Sequence, residues 1–350
     1  MTINNPFLDK ENEDLIKFFQ EEVFQRKDLD IHILSGDAST RRYFRVTSDD
    51  TSFQSVIIMV SGKENLQDIH SHIECYNFFK QIGFCIPELY EAVPERGYLI
   101  EEDVGDTSLE VYMNSGGNST DFYQYYQKGI AQIVLLQNSF EFPEIVHSFS
   151  HSLPLRHRFT EKKFTDELKM FYDYFFVRYL NMDIPEREDI ENIFYHISEE
   201  LLEQGLLPTH RDFHSRNLFI KSGELYVLDF QDARLGPPHY DLVSFIYDPY
   251  VRISESTRKR LIGEYKKKVY LSSYTSFNKT FDRMMQLCAI QRLLKAIGTY
   301  AFMYLDRHNS FYLQFIVNAI RDLERLMQGK KEFEVILSYL KEAAEKEWGR

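Results

Sequence analysis

Thr209-His210-Arg211-Asp212-Phe213-His214-Ser215-Arg216-Asn217-Leu218-Phe219-Ile220-Lys221-Ser222-Gly223-Glu224-Leu225-Tyr226-Val227-Leu228-Asp229-Phe230 is the stretch around which the rest of the chain is read. Two short runs of strand character, 217–220 and 225–229, flank Ser222-Gly223. A glycine in a two-residue turn tolerates the positive φ that such a turn requires, so the run predicts a β-hairpin. Folding about that turn pairs 221 with 224 and therefore 217 with 228. Asn217 then lies beside Asp229 at the open end of the hairpin. The loop just before Asn217 brings Asp212 to the same end, so two carboxylates and one amide oxygen are expected to share a small volume.

A hard divalent cation such as Mg²⁺ takes oxygen ligands, one or two from protein and the rest from phosphates and water. Asn217 and Asp229 suit that role, and Asp212 is then left to accept a proton from a hydroxyl nucleophile. Phosphoryl transfer uses these parts. The order His-x-Asp-x-x-x-x-Asn followed by Asp, here His210, Asp212, Asn217 and Asp229, is a kinase-like signature. In a chain of this composition chance gives on the order of 0.03 occurrences of the first part alone. The bland counterpart is a surface turn capped by Asp and Asn; the hairpin and the downstream Asp229 weigh against it. A zinc site on His210 and His214 fits poorly, because no Glu follows the first His and the stretch reads as loop.

These blocks resemble the aminoglycoside phosphotransferase/choline kinase family of small-molecule kinases. Within it they are most similar to the anomeric sugar kinases of bacterial cell-wall recycling. The residues carrying the closer match are Gly36-Asp37-Ala38-Ser39-Thr40-Arg41-Arg42-Tyr43-Phe44-Arg45, 210–218, Asp229-Phe230-Gln231-Asp232-Ala233, Gly236-Pro237 and Tyr240-Asp241-Leu242, in the family's order. The resemblance implies an α+β, bilobal protein-kinase-like fold: a small β-rich N-lobe over residues 1–104 that binds nucleotide, and a large helical C-lobe over 105–350 that carries catalysis and the acceptor. It implies ATP as donor, bound between the lobes, with Mg²⁺ on Asn217 and Asp229 and Asp212 as the catalytic residue. The acceptor implied is the C1 hydroxyl of N-acetylmuramate or N-acetylglucosamine, in the cytoplasm. For nucleotide binding it points to Gly36, Ala38, Ser39 and Arg45 near the phosphates and to Glu102 and Val104 at the hinge. For the sugar it points to His214, Arg216 and Asp232, and it makes His210 and Asp241 braces of the catalytic loop. Asp232 also reads as a cap of the turn after Asp229; 101–104 also reads as a plain acidic linker; and 35–45, which lacks G-x-G-x-x-G, also reads as an ordinary hairpin.

One departure stands out. Met59 occupies the strand position where many kinases carry Lys, so the phosphates need another cation, with Lys63, Arg42 and Arg45 as candidates. Glu74, in the place of the lysine's acidic partner, then reads better as an exposed helix residue.

Working outward, helical spacing predicts a first helix over 12–30, strands at 31–34, 43–46 and 56–60, a helix from Leu66 to Ile82, and a hairpin about 93–97. Beyond Asp106 helices are expected at 121–138, 160–181, 186–204, 256–270, 280–306, 309–328 and 331–347, interrupted by one strand pair at 217–230. The switch from strand-like to helix-like composition at 103–106 marks the lobe boundary. The aromatic run 171–176 fits a buried helix stripe, with one or two rings available to an acceptor pocket.

With 41 Lys+Arg against 54 Asp+Glu, the net charge of −13 excludes a dedicated nucleic-acid binder. No run approaches the roughly 18 apolar residues of a membrane helix, and the polar opening 1–15 is expected to be neither a signal nor a transit peptide. Three scattered cysteines, Cys75, Cys85 and Cys288, argue against a disulfide framework and fit a reducing compartment. The expected partners are thus ATP and a small sugar, with neither nucleic acid nor membrane. Two rival readings remain open: a kinase of another small alcohol, choline-like or aminoglycoside, and a nucleotide-binding module without catalysis.

Overall fold

The computed structural model describes residues 10–34, 41–50, 53–61, 66–116, 119–203, 205–269 and 277–349. Five strands come first: β1 (Asp30–Leu34), β2 (Arg42–Thr47), β3 (Val56–Val60), β4 (Leu89–Val93) and β5 (Tyr98–Glu102). They form one antiparallel sheet in the order β1-β2-β3-β5-β4. Alternation sorts their side chains. Phe44, Val46, Ile58 and Ile100 pack with Phe19 beneath α1 (Lys10–Phe18). Tyr43, Ile57, Met59, Leu99 and Glu101 take the opposite face, where register sets Tyr43 against Met59 and Ile57 against Glu101. Helix α2 (Leu66–Gln81) covers part of that face through Ile69 and Ile73. The first helix is shorter than its sequence pattern. It relaxes into a π-turn over Phe19–Val23 and stops where Gln25 adopts φ 53°.

The remainder is helical: α3 (Leu109–Asn114), α4 (Ser119–Asn138), α5 (Pro143–Phe149), α6 (Leu153–Arg156), α7 (Glu161–Phe171), α8 (Arg187–Leu202), α9 (Tyr240–Ile246), α10 (Glu255–Lys268), α11 (Phe277–Leu305), α12 (Ile316–Met327) and α13 (Glu334–Trp348). The α+β architecture, a small sheet lobe against a large helical lobe, is the one expected. Helix α11 is the spine of the large lobe, packed on α7, α9 and α12. It passes close to α7 at Gly298, where a Cβ would sit 2.6 Å from the Phe171 backbone. Phe171, Phe175 and Phe176 are fully buried there, so this aromatic run is core rather than pocket lining.

Two strand pairs, not one, interrupt the helices. The hairpin β7 (Leu218–Lys221) and β8 (Glu224–Val227) has the predicted register, Lys221 with Glu224 and Leu218 with Val227. Leu228 N–H donates to Asn217 O at 2.8 Å, and Ser222 and Gly223 both take positive φ, as a type I′ turn requires. The second pair joins β6 (Leu207–Thr209) to β9 (Arg234–Gly236). Each of its strands has three residues, too few to show a period.

The seam between the lobes is closely tied. The second half of α2 leaves the sheet and sinks Cys75, Phe78 and Phe79 into the core of the large lobe. Glu74 faces the same way and accepts from Leu153 N–H at 3.1 Å, capping α6. It is therefore neither the partner of a strand lysine nor a free surface residue. Across the hinge, Lys221 Nζ lies 2.5 Å from Glu102 Oε1 and 2.9 Å from Asp103 O.

Candidate active site

The loop 210–217 is held from below. Asp241, at the start of α9, accepts from His210 N–H at 2.6 Å and Arg211 N–H at 2.9 Å. These bonds hold Arg211 at φ 83°, a conformation that a non-glycine residue adopts only when its surroundings enforce it. Burial pushes the Asp241 carboxyl up to about 7, against the pull of the two N–H donors. His210 lies fully buried, with Nε2 3.0 Å from Leu228 O, which ties the loop to the end of β8. Burial lowers its pKa to about 4, so the ring is neutral at pH 7 and donates through Nε2. Asp248 fixes the next turn by accepting from Ser215 N–H at 2.8 Å.

On this base Asn217 and Asp229 meet as expected, while Asp212 is joined to them through its backbone carbonyl and its carboxylate lines a second cavity. Asn217 Nδ2 is 3.0 Å from Asp212 O and 3.5 Å from Asp229 Oδ2. Asp229 sits at φ 62° and is also contacted by the Gln231 amide. Its carboxyl is raised by desolvation and by the Asp212 charge. A cation placed there would relieve that repulsion. Among the described residues no group of three or more His, Cys, Asp or Glu side chains is arranged to hold a metal. The Asn217–Asp229 pair fits an ion that draws its other ligands from phosphates and water.

Two cavities flank this loop. The larger, about 500 Å³, runs between the lobes and is lined by Asn217, Asp229, Tyr43, Ile57, Glu102 and Val104, among others. Its hinge end has the expected residues, although the Glu102 side chain is engaged with Lys221 and its N–H with Glu88 O. The smaller, about 120 Å³, lies within the large lobe and is lined by Asp212, His214, Tyr250, Arg292, Lys295 and Tyr300, among others.

Asp212 belongs to the smaller cavity and is ringed by cations. Lys295 Nζ lies 3.3 Å from Oδ1, Arg292 Nη1 3.5 Å from Oδ1 and Arg211 Nη1 3.8 Å from Oδ2. Desolvation alone would raise this carboxyl, but Lys295, Arg211 and Arg292 outweigh it and hold it well below the usual range. Asp212 is thus held as an anion on the wall of the smaller cavity. Lys295 and Arg292 are three apart on α11 and more than 60 residues beyond the motif. Their sequence signal was two charges inside the apolar run 287–298.

The remaining expected residues are placed differently. Gly36, Ala38, Ser39 and Lys63 lie outside the described residues. Arg42 points away from the cleft to Glu11 and Asn12, since it shares the parity of Phe44 and Val46; it is not the missing cation. Arg45 lines the cleft but is paired with Asp103 and Asp106, both at 2.8 Å, beside the hinge. Arg41 was not among the candidates, yet its guanidinium stands over the site between Asp68 and Asp229. The parity of β2 was the signal that could have found it. His214 lines the smaller cavity, and desolvation lowers its pKa to about 3. Arg216 is enclosed by Tyr250, Phe311 and Tyr312 and paired with Glu110 at 3.1 Å. Asp232 is exposed and turned to Arg211 and Arg234.

A two-lobed fold with an Asn–Asp pair on an interlobe cleft and a buried carboxylate in a second cavity fits a phosphotransferase of the kinase type. Comparison with known proteins agrees. Residues 30–274 match the phosphotransferase enzyme family, and the chain belongs to that family. It is 26% identical over 332 residues to an N-acetylmuramate/N-acetylglucosamine kinase of Neisseria meningitidis serogroup B, covering 93% of this chain and 94% of that one. A protein of the same name from Pseudomonas aeruginosa is 27% identical over 274 residues, 76% of this chain and 75% of the other. Among solved structures, the choline kinase LicA from Streptococcus pneumoniae superposes with a TM-score of 0.58 at 15% identity, covering 91% of this chain and 98% of that chain. The ADP-bound aminoglycoside phosphotransferase APH(2'')-Ib gives 0.57 at 17%, covering 92% and 97%. The chain is accordingly a small-molecule kinase, and none of its described helices is long and apolar enough to cross a membrane.

Proposed function

We propose that this kinase transfers the γ-phosphoryl group of ATP to the C1 hydroxyl of an N-acetylated amino sugar, N-acetylmuramate or N-acetylglucosamine. In this reading residues 1–104 carry the nucleotide and 105–350 the acceptor, in a cytoplasmic setting where ATP is at hand. The observation that carries it is the division of labour across one amide. Asn217 joins the Asp229 carboxylate on the nucleotide cleft to the backbone carbonyl of Asp212, whose side chain lines the acceptor cavity. Asn217 and Asp229 would hold Mg²⁺, which when bound neutralises phosphate charge. Asp212 aligns the acceptor oxygen and receives its proton, while His210 and Asp241 keep the loop in place. His214 faces the sugar from the wall of the smaller cavity.

The choice of acceptor rests on the charge of that cavity and on the names of the relatives. Its wall carries Arg292 and Lys295 against Asp212 and Asp248, so there is no carboxylate surplus to receive a choline or a polyamine antibiotic. A neutral or anionic sugar meets no such penalty. The test is a panel of N-acetylglucosamine, N-acetylmuramate, choline and an aminoglycoside with Mg-ATP, read by ³¹P NMR of the product. A phosphorus coupled to the anomeric proton is expected. Turnover of only choline or the aminoglycoside overturns the sugar reading; ATP binding with no acceptor consumed supports the non-catalytic module instead.

A further inference from the structure

We propose that Arg41 is the cation that receives the nucleotide's phosphates in this chain, with Asp68 of α2 as its positioning carboxylate. The inference rests on the kinase reading and deepens it. Strand β3 cannot supply a cation: its cleft face carries Ile57 and Met59, and Met59 is buried beneath α2 with Ile69 and Leu99. Arg41 enters from the neighbouring strand. It precedes β2 and shares the parity of Tyr43, so it stands on the cleft face. Its Nε lies 3.4 Å from Asp68 Oδ2 and its Nη1 3.9 Å from Asp229 Oδ1. The two carboxylates come from different lobes, and the guanidinium spans them.

The other described cations on the cleft wall are committed elsewhere. Arg45 serves Asp103 and Asp106 at the hinge end, and Arg216 is stacked among aromatic rings and paired with Glu110. Arg41 is the described cation that stands next to Asp229, where the phosphates of a nucleotide held by the Asn217–Asp229 pair must pass. A guanidinium suits that place, because its planar fork engages two phosphate oxygens at once where an ammonium offers a point charge. Asp68 meets the fork through Nε, Tyr43 also contacts the guanidinium, and Nη1 lies toward Asp229. The pair Arg41–Asp68 thereby reproduces a strand cation with a helix carboxylate, using one strand over and an earlier turn of the helix.

Calorimetric titration of adenosine, ADP and Mg-ATP into wild type, Arg41→Ala, Arg41→Gln, Arg41→Lys and Asp68→Asn tests this. The expected result is unchanged adenosine affinity in every variant. ATP affinity should fall about tenfold to a hundredfold in Arg41→Ala and Arg41→Gln, as for the loss of a charge-assisted contact. Arg41→Lys should recover part of it, and Asp68→Asn should lose a few-fold in KM for ATP with kcat less affected. Equal losses for adenosine and ATP make Arg41 a structural residue and overturn the proposal, as does an unchanged ATP affinity. Arg41→Gln keeps the length of the stem and serves if the alanine variant does not fold. Failure of the kinase reading looks different: wild type binds Mg-ATP but phosphorylates nothing in the acceptor panel, while the contrast between adenosine and ATP still judges Arg41.

Discussion

Replacing Asp241 by Ala should cripple the enzyme without touching either ligand. Asp241 is fully buried and its two oxygens accept the N–H groups of His210 and Arg211. Each donor left unsatisfied in the core costs about 1–3 kcal/mol. Relief from burying a carboxyl offsets part of the sum, so a net loss of about 2–4 kcal/mol is expected. Arg211, no longer held at φ 83°, relaxes toward an ordinary conformation and carries Asp212 with it. A shift of about 1 Å in a reacting group costs on the order of 10²-fold in rate. The signature is therefore a lower urea midpoint together with a kcat reduced about a hundredfold, while KM for ATP stays near wild type because Asp241 touches no part of the nucleotide cleft. Asp241→Asn keeps one acceptor and should lose roughly half as much stability as the alanine variant. Urea unfolding and steady-state kinetics decide the matter. An alanine variant with the wild-type midpoint and kcat within twofold would refute the brace.

Lys295 offers a pH test: desolvation and the neighbouring Arg292 pull its pKa down to about 8, so kcat should fall as pH rises through 8, and Lys295→Arg should move that limb upward. On stability the sign is opposite, because from pH 8 to about 10.5 the unfolded chain binds more protons, so the burial cost of the ammonium is present below 8 and is relieved as pH rises across that window. A kcat profile with no limb between 7 and 9 removes Lys295 from the reaction. Gly298→Ala should destabilise the large lobe by about 1–3 kcal/mol, because its Cβ would meet the Phe171 backbone at 2.6 and 2.8 Å; an unchanged melting temperature would show that α11 and α7 can part without cost.

The hairpin and the long helices were legible because each carries its own local signal. Ser222-Gly223 fixes the turn, the turn fixes the register, and the register brings Asn217 to Asp229. Helix α9 was not legible, since all seven of its residues are buried and a helix buried on every side has no amphipathic period. Arg292 and Lys295 reach Asp212 only through the packing of α11, a contact that no motif spacing encodes. Arg41 and Arg42 are neighbours in sequence, and only strand parity tells which one faces the nucleotide.

Helix α2 has its early turns on the sheet and its later turns in the opposite lobe's core, with Glu74 on α6 and Cys75 Sγ 3.5 Å from Gln231 O. Such a helix works as a keel fixed to the lower hull. If the sheet rocks to admit or release a nucleotide, it must slide over α2 rather than carry it along. The 3.4 Å contact between Arg41 beside the sheet and Asp68 on the keel spans that sliding surface, so such a motion would have to stretch it.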